Sequence, residues 1–196
     1  MHEESTGQQP NPESEPRSGP EPRIYVASLS DYNAGRLHGA WIDAWQTPEE
    51  MQLDIDDMLA DAPRADAEEW AIHDYDDFDA IELREHEPLQ HVAWYAGQLR
   101  EHGSAFAGWF AATGYDPEDG LDFTDVFEGE WPSLEAYVAA YLEDTGLDAL
   151  LDEAIPGELR AYVQVDIDAL ARDLQLGGDL ITVNTRDGRT WIYRAT

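Results

Sequence analysis

A chain of 196 residues with 43 acids, 11 bases (all Arg, no Lys) and a formal charge of −32 at pH 7 excludes direct binding to nucleic acid or to an anionic membrane surface. The absence of Cys removes a disulfide framework, a thiolate nucleophile and Cys-ligated zinc, which fits a cytoplasmic setting, and no apolar run approaches the roughly 20 residues that cross a bilayer. Apolar residues make up 42%, with seven Trp and nine Tyr, so cores can form and wholesale disorder is excluded.

Residues 1–22, MHEESTGQQPNPESEPRSGPEP, are dense in Pro, Glu, Ser, Gln and Gly with no apolar period and read as a disordered tail. They also lack the basic-then-apolar pattern of a secretory signal. Ile24 to Leu29 reads as a strand, Asp31 to Gly35 as a turn, and Leu37 to Ala44 as the returning strand. Thr47-Pro48-Glu49-Glu50 starts a helix: Thr47 is the N-cap, Pro48 takes the first helical position, and Glu50 can close a capping box. Met51, Ile55, Met58, Leu59 and Ala62 form the apolar stripe of that helix, and Asp54, Asp57 and Asp61 share another side. Such like-charge neighbours cost a few tenths of a kcal/mol per pair, so helix stability did not select them. Trp70 to Tyr75 reads as a third strand that runs into Asp76, Asp77 and Asp79.

Pro88 opens a helix to about His102, closed by Gly103, with Leu89, Val92, Ala93, Ala96 and Leu99 facing inward. A shorter segment, Ser104 to Thr113, carries Phe106, Trp109 and Phe110 and ends at Gly114. Two short helices of this kind are expected to form a thin core. An acidic loop runs from Asp116 to Asp125, followed by Phe127 to Trp131 and a helix from about Ser133 to Thr145 with Gly146 past its end. Asp166 to Gln175 reads as a helix stopped by Gly177-Gly178, and a hairpin follows: Leu180 to Thr185, a turn at Asp187-Gly188, and Thr190 to Arg194. The expected fold is α+β, an elongated chain of three small domains. These are an N-terminal α+β domain over 23–80, a small helical middle domain over 81–114, and a C-terminal α+β domain over 115–196.

The charge is concentrated. Residues 43–153 hold 31 acids against Arg64, Arg84 and Arg100, a net of −28, whereas residues 154–196 hold six acids and five Arg, a net of −1. A surface that keeps so many carboxylates together repels itself and every nearby anion. It suits a strongly basic partner, and the commonest strongly basic protein surface is one built to hold nucleic acid. Two copies of the 43–153 region would carry the charge of roughly 95 Å of duplex, at about one charge per 1.7 Å.

Catalytic and metal motifs fail on spacing. His86-Glu87-Pro88-Leu89-Gln90-His91 places its two His five residues apart rather than four, about 140° around a helix, with Pro88 in the first turn. Setting Gly120 at the sixth position of a calcium loop puts Tyr115, Pro117 and Val126 where oxygen ligands belong. No phosphate loop or Gly-x-Ser-x-Gly is present. No enzymatic activity, metal or cofactor is expected.

Several segments in order resemble the ArdA-type antirestriction proteins carried by plasmids and conjugative elements. Ile24 to Gly35 with Gly39-Ala40-Trp41 is similar to the family's opening strand and turn, and Glu69 to Asp76 to its strand ending in an Asp-Tyr step. Phe123 through Gly129 to Glu135, and on to Tyr141 to Gly146, resembles its central acidic block. Ile155 to Leu159 and Ala169 to Leu174 resemble its C-terminal signature. Residues 1–22 extend beyond the usual start, and Tyr162 to Asp168 differs from the family's run there. The resemblance implies an elongated, dimeric α+β protein that imitates bent duplex DNA and occupies the DNA groove of type I restriction-modification enzymes.

A general acidic binder or chaperone of basic DNA-binding proteins shares the charge but predicts no preference for restriction enzymes. A salt-adapted ordinary domain predicts acids in every segment, against the uneven distribution here. For the inhibitor, the expected partner-binding surface comprises Asp54, Asp57, Asp61, Asp74, Asp76, Asp77 and Asp79, then Asp116, Glu118, Asp119, Asp122 and Asp125, then Glu128, Glu130, Glu135, Glu143 and Asp144. Binding is expected to follow the summed field rather than any one acid. Repulsion between two copies is least in the near-neutral segment 154–196, so the dimer contact is expected at hairpin residues Trp191 and Ile192.

Overall fold

The computed structural model describes residues 21–64 and 67–195, so all but the last two residues of the predicted tail lie outside the described residues. The first sheet is antiparallel, in the order β2-β1-β3, from β1 (Arg23–Ser28), β2 (Gly39–Asp43) and β3 (Trp70–Asp76). Between β1 and β2 the expected turn is a short helix, α1 (Leu29–Asn33). Ser28 explains it: its hydroxyl accepts from the Asp31 N–H at 3.3 Å and donates to Asp31 Oδ2 at 3.1 Å. That N-cap satisfies a helix-start donor which a simple turn would leave open.

Helix α2 (Pro48–Ala60) begins as its sequence dictates. The Glu50 N–H donates to Thr47 Oγ1 at 3.2 Å, and the Thr47 N–H donates to Glu50 Oε2 at 2.9 Å. These bonds from Thr47 hold the Glu50 carboxyl below its usual range. Met51, Ile55 and Met58 are buried against the first sheet, while Leu59 and Ala62 are half-buried.

The two helices expected in the middle are the halves of one bent element, α3 (Leu89–Thr113), broken at Gly103 with φ 59° and ψ −147°. That backbone conformation is essentially closed to L-residues with a Cβ, so glycine makes the bend. The core around α3 is not thin. Val92, Tyr95, Ala96 and Leu99 before the bend, and Ala105, Phe106 and Trp109 after it, join one buried cluster with Ile24, Val26, Met51 and Ile55. The same cluster continues into Phe123, Val126 and Tyr193. Phe106 lies between Trp94 at 5.3 Å and Phe123 at 5.6 Å, both in edge-on geometry favoured by ring quadrupoles.

The second sheet is antiparallel, in the order β4-β6-β5, from β4 (Phe127–Trp131), β5 (Leu180–Asn184) and β6 (Thr190–Arg194). The predicted hairpin is present as β5 and β6, and β4 adds the partner strand. β4 escapes a sequence reading because it is short, acidic and interrupted by a register shift at Gly129, whose φ is 104°. α4 (Phe123–Val126) precedes β4, and α5 (Leu134–Asp144) follows it with Ser133 as N-cap. Two helices not predicted from the sequence, α6 (Leu147–Ala154) and α7 (Gly157–Arg160), lead to α8 (Ile167–Gly177), capped by Asp166 and closed by Gly178 at φ 82°.

Both faces of the second sheet are covered. Ile181, Val183, Trp191 and Tyr193 face the first cluster. Leu180 and Ile192 join a second cluster with Leu134 and Val138 of α5 and Ala171 of α8.

Replacing Thr47 with Ala is expected to lower stability by about 1 kcal/mol, as for other N-cap losses. The carboxyl of Glu50 is lowered in the fold, so its share is present above the unfolded value near 4.3 and is lost as pH falls through the folded value. Thermal melts of both proteins from pH 7 to pH 3 check this: the gap between them should narrow on acidification.

Candidate functional site: the acidic surface

Helix α2 buries one side in the first core, so its other side must carry the acids. Asp54, Asp56, Asp57 and Asp61 are all exposed there; Asp56 belongs to the ladder although the expected set omits it. Gln46 donates to Asp54 Oδ2 at 2.6 Å, and Gln52 donates to Asp56 Oδ1 at 2.8 Å. Asp57 lies in the last turn of α2 and Asp61 at its C-cap, where the helix dipole disfavours negative charge. Neighbouring β3 contributes Asp74 and Asp76, both exposed, and the chain then turns through Asp77 at φ 60° and Asp79 at φ 52°. Asp is among the few non-glycine residues that enter this region readily. Asp77 Oδ2 also accepts from the Glu21 N–H at 3.1 Å.

The acidic loop is built from side-chain caps. Asp116 Oδ1 accepts from the Glu118 N–H at 3.0 Å and starts a 3₁₀ turn over Pro117–Asp119. Asp122 Oδ1 accepts from both the hydroxyl and the N–H of Thr124, at 2.7 and 2.9 Å, and starts α4. Those bonds hold the Asp122 carboxyl below its usual range. Glu118, Asp119 and Asp125 are exposed beside them. On α5, Glu135 is lowered by its bond with Ser133 at the helix start, while Glu143 and Asp144 stand exposed in the last turn.

Three of the expected acids are paired with Arg within the fold: Asp76 with Arg23 at 2.8 Å, and Glu128 and Glu130 at the second sheet. Glu128 pairs with Arg194, and the Tyr137 hydroxyl donates to its other oxygen at 3.2 Å. Burial, then Glu128, pushes the Tyr137 phenol up to about 12. Glu130 pairs with Arg189 and accepts from the Trp191 indole N–H at 3.1 Å. The Glu130–Trp191 and Glu128–Arg194 contacts tie β4 to β6 across more than sixty residues, a separation at which sequence spacing carries no signal.

The expected dimer residues part company. Trp191 is half-buried in the face against α3, and Ile192 is fully buried in the second cluster. Adjacent strand residues point to opposite faces, and both faces here are covered. Ile192 therefore offers no surface to a partner, and an Asp substitution at Ile192 reports on folding rather than on association.

Among the described residues no group of three or more His, Asp or Glu is placed to hold a metal ion, and no helix is long and apolar enough to cross a membrane. Of the two His set aside on spacing, His91 Nδ1 lies 3.0 Å from Oε1 of the buried Glu87. The Tyr95 hydroxyl donates to the same oxygen at 3.5 Å. Burial, then Glu87, pushes the Tyr95 phenol up to about 12.

Ile192→Asp is expected to place an unpaired carboxylate among apolar side chains and to cost more than about 3 kcal/mol, enough to abolish a cooperative melt of the second sheet. Circular dichroism and one-dimensional NMR of the variant check this; a native-like spectrum would mean that β6 is packed differently.

The family model for ArdA, antirestriction protein, matches residues 24–186. No curated protein matches the chain. The matched span takes in nearly all the elements described above, and the chain belongs to the ArdA antirestriction protein family.

Proposed function

We propose that this member of the ArdA antirestriction family acts by presenting its acidic surface as a substitute for duplex DNA, occupying the DNA groove of type I restriction-modification enzymes and so blocking restriction. One observation carries the reading: exposed carboxylates crowd α2, the β3 end, the acidic loop and α5, and at the ends of α2 and α5 they are kept although local stability disfavours them. Acids stand in the last turns of α2 and α5, and no basic residue stands in either. The protein binds and does not catalyse. The three-domain division expected from the sequence fits a body that spreads this charge along a duplex-like length, and belongs to the proposal.

The protein acts as a homodimer in this proposal, through a surface other than the hairpin. From Ala139 to Leu170 no residue is buried, yet the stretch includes the ends of α5 and α8 and the whole of α6 and α7. Tyr141, Leu150, Leu159 and Val165 are exposed there, and Tyr162 is 84% exposed. Several exposed large apolar groups within one stretch of chain suit an interface. A second copy suits the apolar groups at Leu159, Tyr162 and Val165, which lie in the near-neutral segment 154–196 where self-repulsion is least. Arg160 anchors this surface: it donates to Asp148 Oδ1 at 2.8 Å, to Asp152 Oδ1 at 2.7 Å and to the Val163 carbonyl at 3.0 Å.

The test is a competition titration. Labelled duplex held by a type I methyltransferase core should be displaced stoichiometrically, with affinity falling steeply as salt rises. Reversing five or six of the exposed acids to Lys should abolish displacement, while single changes such as Asp57→Asn should alter it less than about threefold. No displacement at low salt by the folded protein would favour a general acidic binder instead.

Leu159→Asp and Tyr162→Asp each alter an exposed side chain and should give folded monomers in sedimentation velocity. A dimer retained in both variants would exclude the α6–α7 surface.

A further inference from the structure

The outer face of the first sheet is a grid fixed by its register. Asp43, Arg23 and Asp76 stand side by side across β2, β1 and β3, and Trp41, Tyr25 and Asp74 form the next row. Directly opposed residues of an antiparallel pair share a face. The row beyond, Gly39, Ala27 and Ala71, is small, and the two Ala are fully buried. Gly39 is required there: a Cβ would come within 2.3 Å of the Val26 carbonyl oxygen and 2.9 Å of the Tyr25 ring. Its absence lets the Tyr25 ring settle over the small row, with its centroid 5.5 Å from that of Trp41. The opposite face carries Ile24, Val26, Ile42 and Ile72 into the core, while on this face Trp41 stays 43% exposed.

One cation already occupies this face. The Arg23 guanidinium lies 4.7 Å from the Trp41 ring centroid and 2.8 Å from Asp76 Oδ2. Stacking on an indole while pairing with a carboxylate is how a guanidinium is held most firmly at a surface. In a chain of net charge −32, an exposed aromatic bordered by carboxylates has no comparable use for an anionic or neutral partner.

The geometry points to this face as a seat for an arginine side chain of the basic partner, held between the Trp41 indole and the carboxylates of Asp74 and Asp76, with Arg23 as the chain's own occupant that the partner's guanidinium displaces. The inference rests on the proposed binding of a basic DNA-handling surface and adds to it a specific contact that net charge alone does not supply. It also fixes the sign of an uncommon effect: removing Arg23 empties the seat and should tighten binding.

The full-length protein is titrated with an octa-arginine peptide, followed by the NMR signals of the Trp41 indole N–H and the Arg23 side chain, and separately used in the DNA-displacement assay. Saturable shifts at both signals are expected. Trp41→Ala leaves the charge unchanged and should weaken binding in both assays by about five- to tenfold, with Trp41→Phe intermediate and guarding against a folding defect. Arg23→Gln should tighten binding by more than Arg172→Gln, which makes the same charge change on α8. Peptide binding by folded Trp41→Ala or Trp41→Phe equal to that of the parent, or Arg23→Gln indistinguishable from Arg172→Gln, overturns the seat. Displacement of DNA that persists undiminished in those Trp41 variants overturns the seat and leaves the DNA-mimic reading standing. Peptide binding at Trp41 without any DNA displacement by the parent protein has the opposite meaning: the seat stands and the restriction-enzyme target falls.

Discussion

Tyr193 is fully buried at the centre of the second sheet, and its hydroxyl donates to the Ala105 carbonyl at 2.8 Å, on the first turn of α3 after the Gly103 bend. Its ring packs 5.5 Å from Phe127 and 6.1 Å from Phe123, so the C-terminal strand is locked into the aromatic cluster around Phe106. Burial pushes its phenol far up. The neighbouring residue Ile192 carries the same strand into the second cluster. One strand thus joins the two cores, and the covering of both sheet faces follows from its alternation. Only with the apolar cohesion gathered there can the rest of the surface be given over to carboxylates.

The few bases are used inside this scheme. Arg194 and Arg189 offset Glu128 and Glu130 where β4 meets β6, Arg160 fastens α6 to α7, and Arg23 spans the first sheet. Exposed pairs of this kind contribute little stability individually. Their positions at element junctions matter more, because each fixes which carboxylates are removed from the outward field. The remaining acids divide: Asp57, Asp61, Glu143 and Asp144 stand at helix C-terminal ends, where the dipole disfavours them, whereas Asp116 and Asp122 cap the starts of local structure.

Much of the local architecture was legible. Thr47, Pro48 and Glu50 named the start of α2 because a capping box is complete within four residues. Gly103 marked the bend in α3, and Gly114 and Gly178 marked helix ends, because their conformations are open chiefly to glycine. The short helix after β1 was missed since Asp and Asn also signal turns, and the Ser28–Asp31 bond that decides between them depends on burial. β4 was missed since its stability comes from β6, some sixty residues away. Of the acidic surface, the α2 ladder could be read from spacing; the internal engagement of Glu128 and Glu130 could not.

By itself the sequence determined the sign, size and placement of the charge, the α+β class, the helix caps and the family resemblance, because these reside in single residues or in neighbours a few positions apart. Only the tertiary structure decided that Ile192 is core, that Leu150 of α6 and Leu159 of α7 stand outward, and that Arg23, Trp41 and Asp76 share one open sheet face. Those outcomes depend on strand register and on which faces neighbouring elements cover. A register is fixed by contacts between distant segments, and a shift of one residue would reverse every side chain that it places.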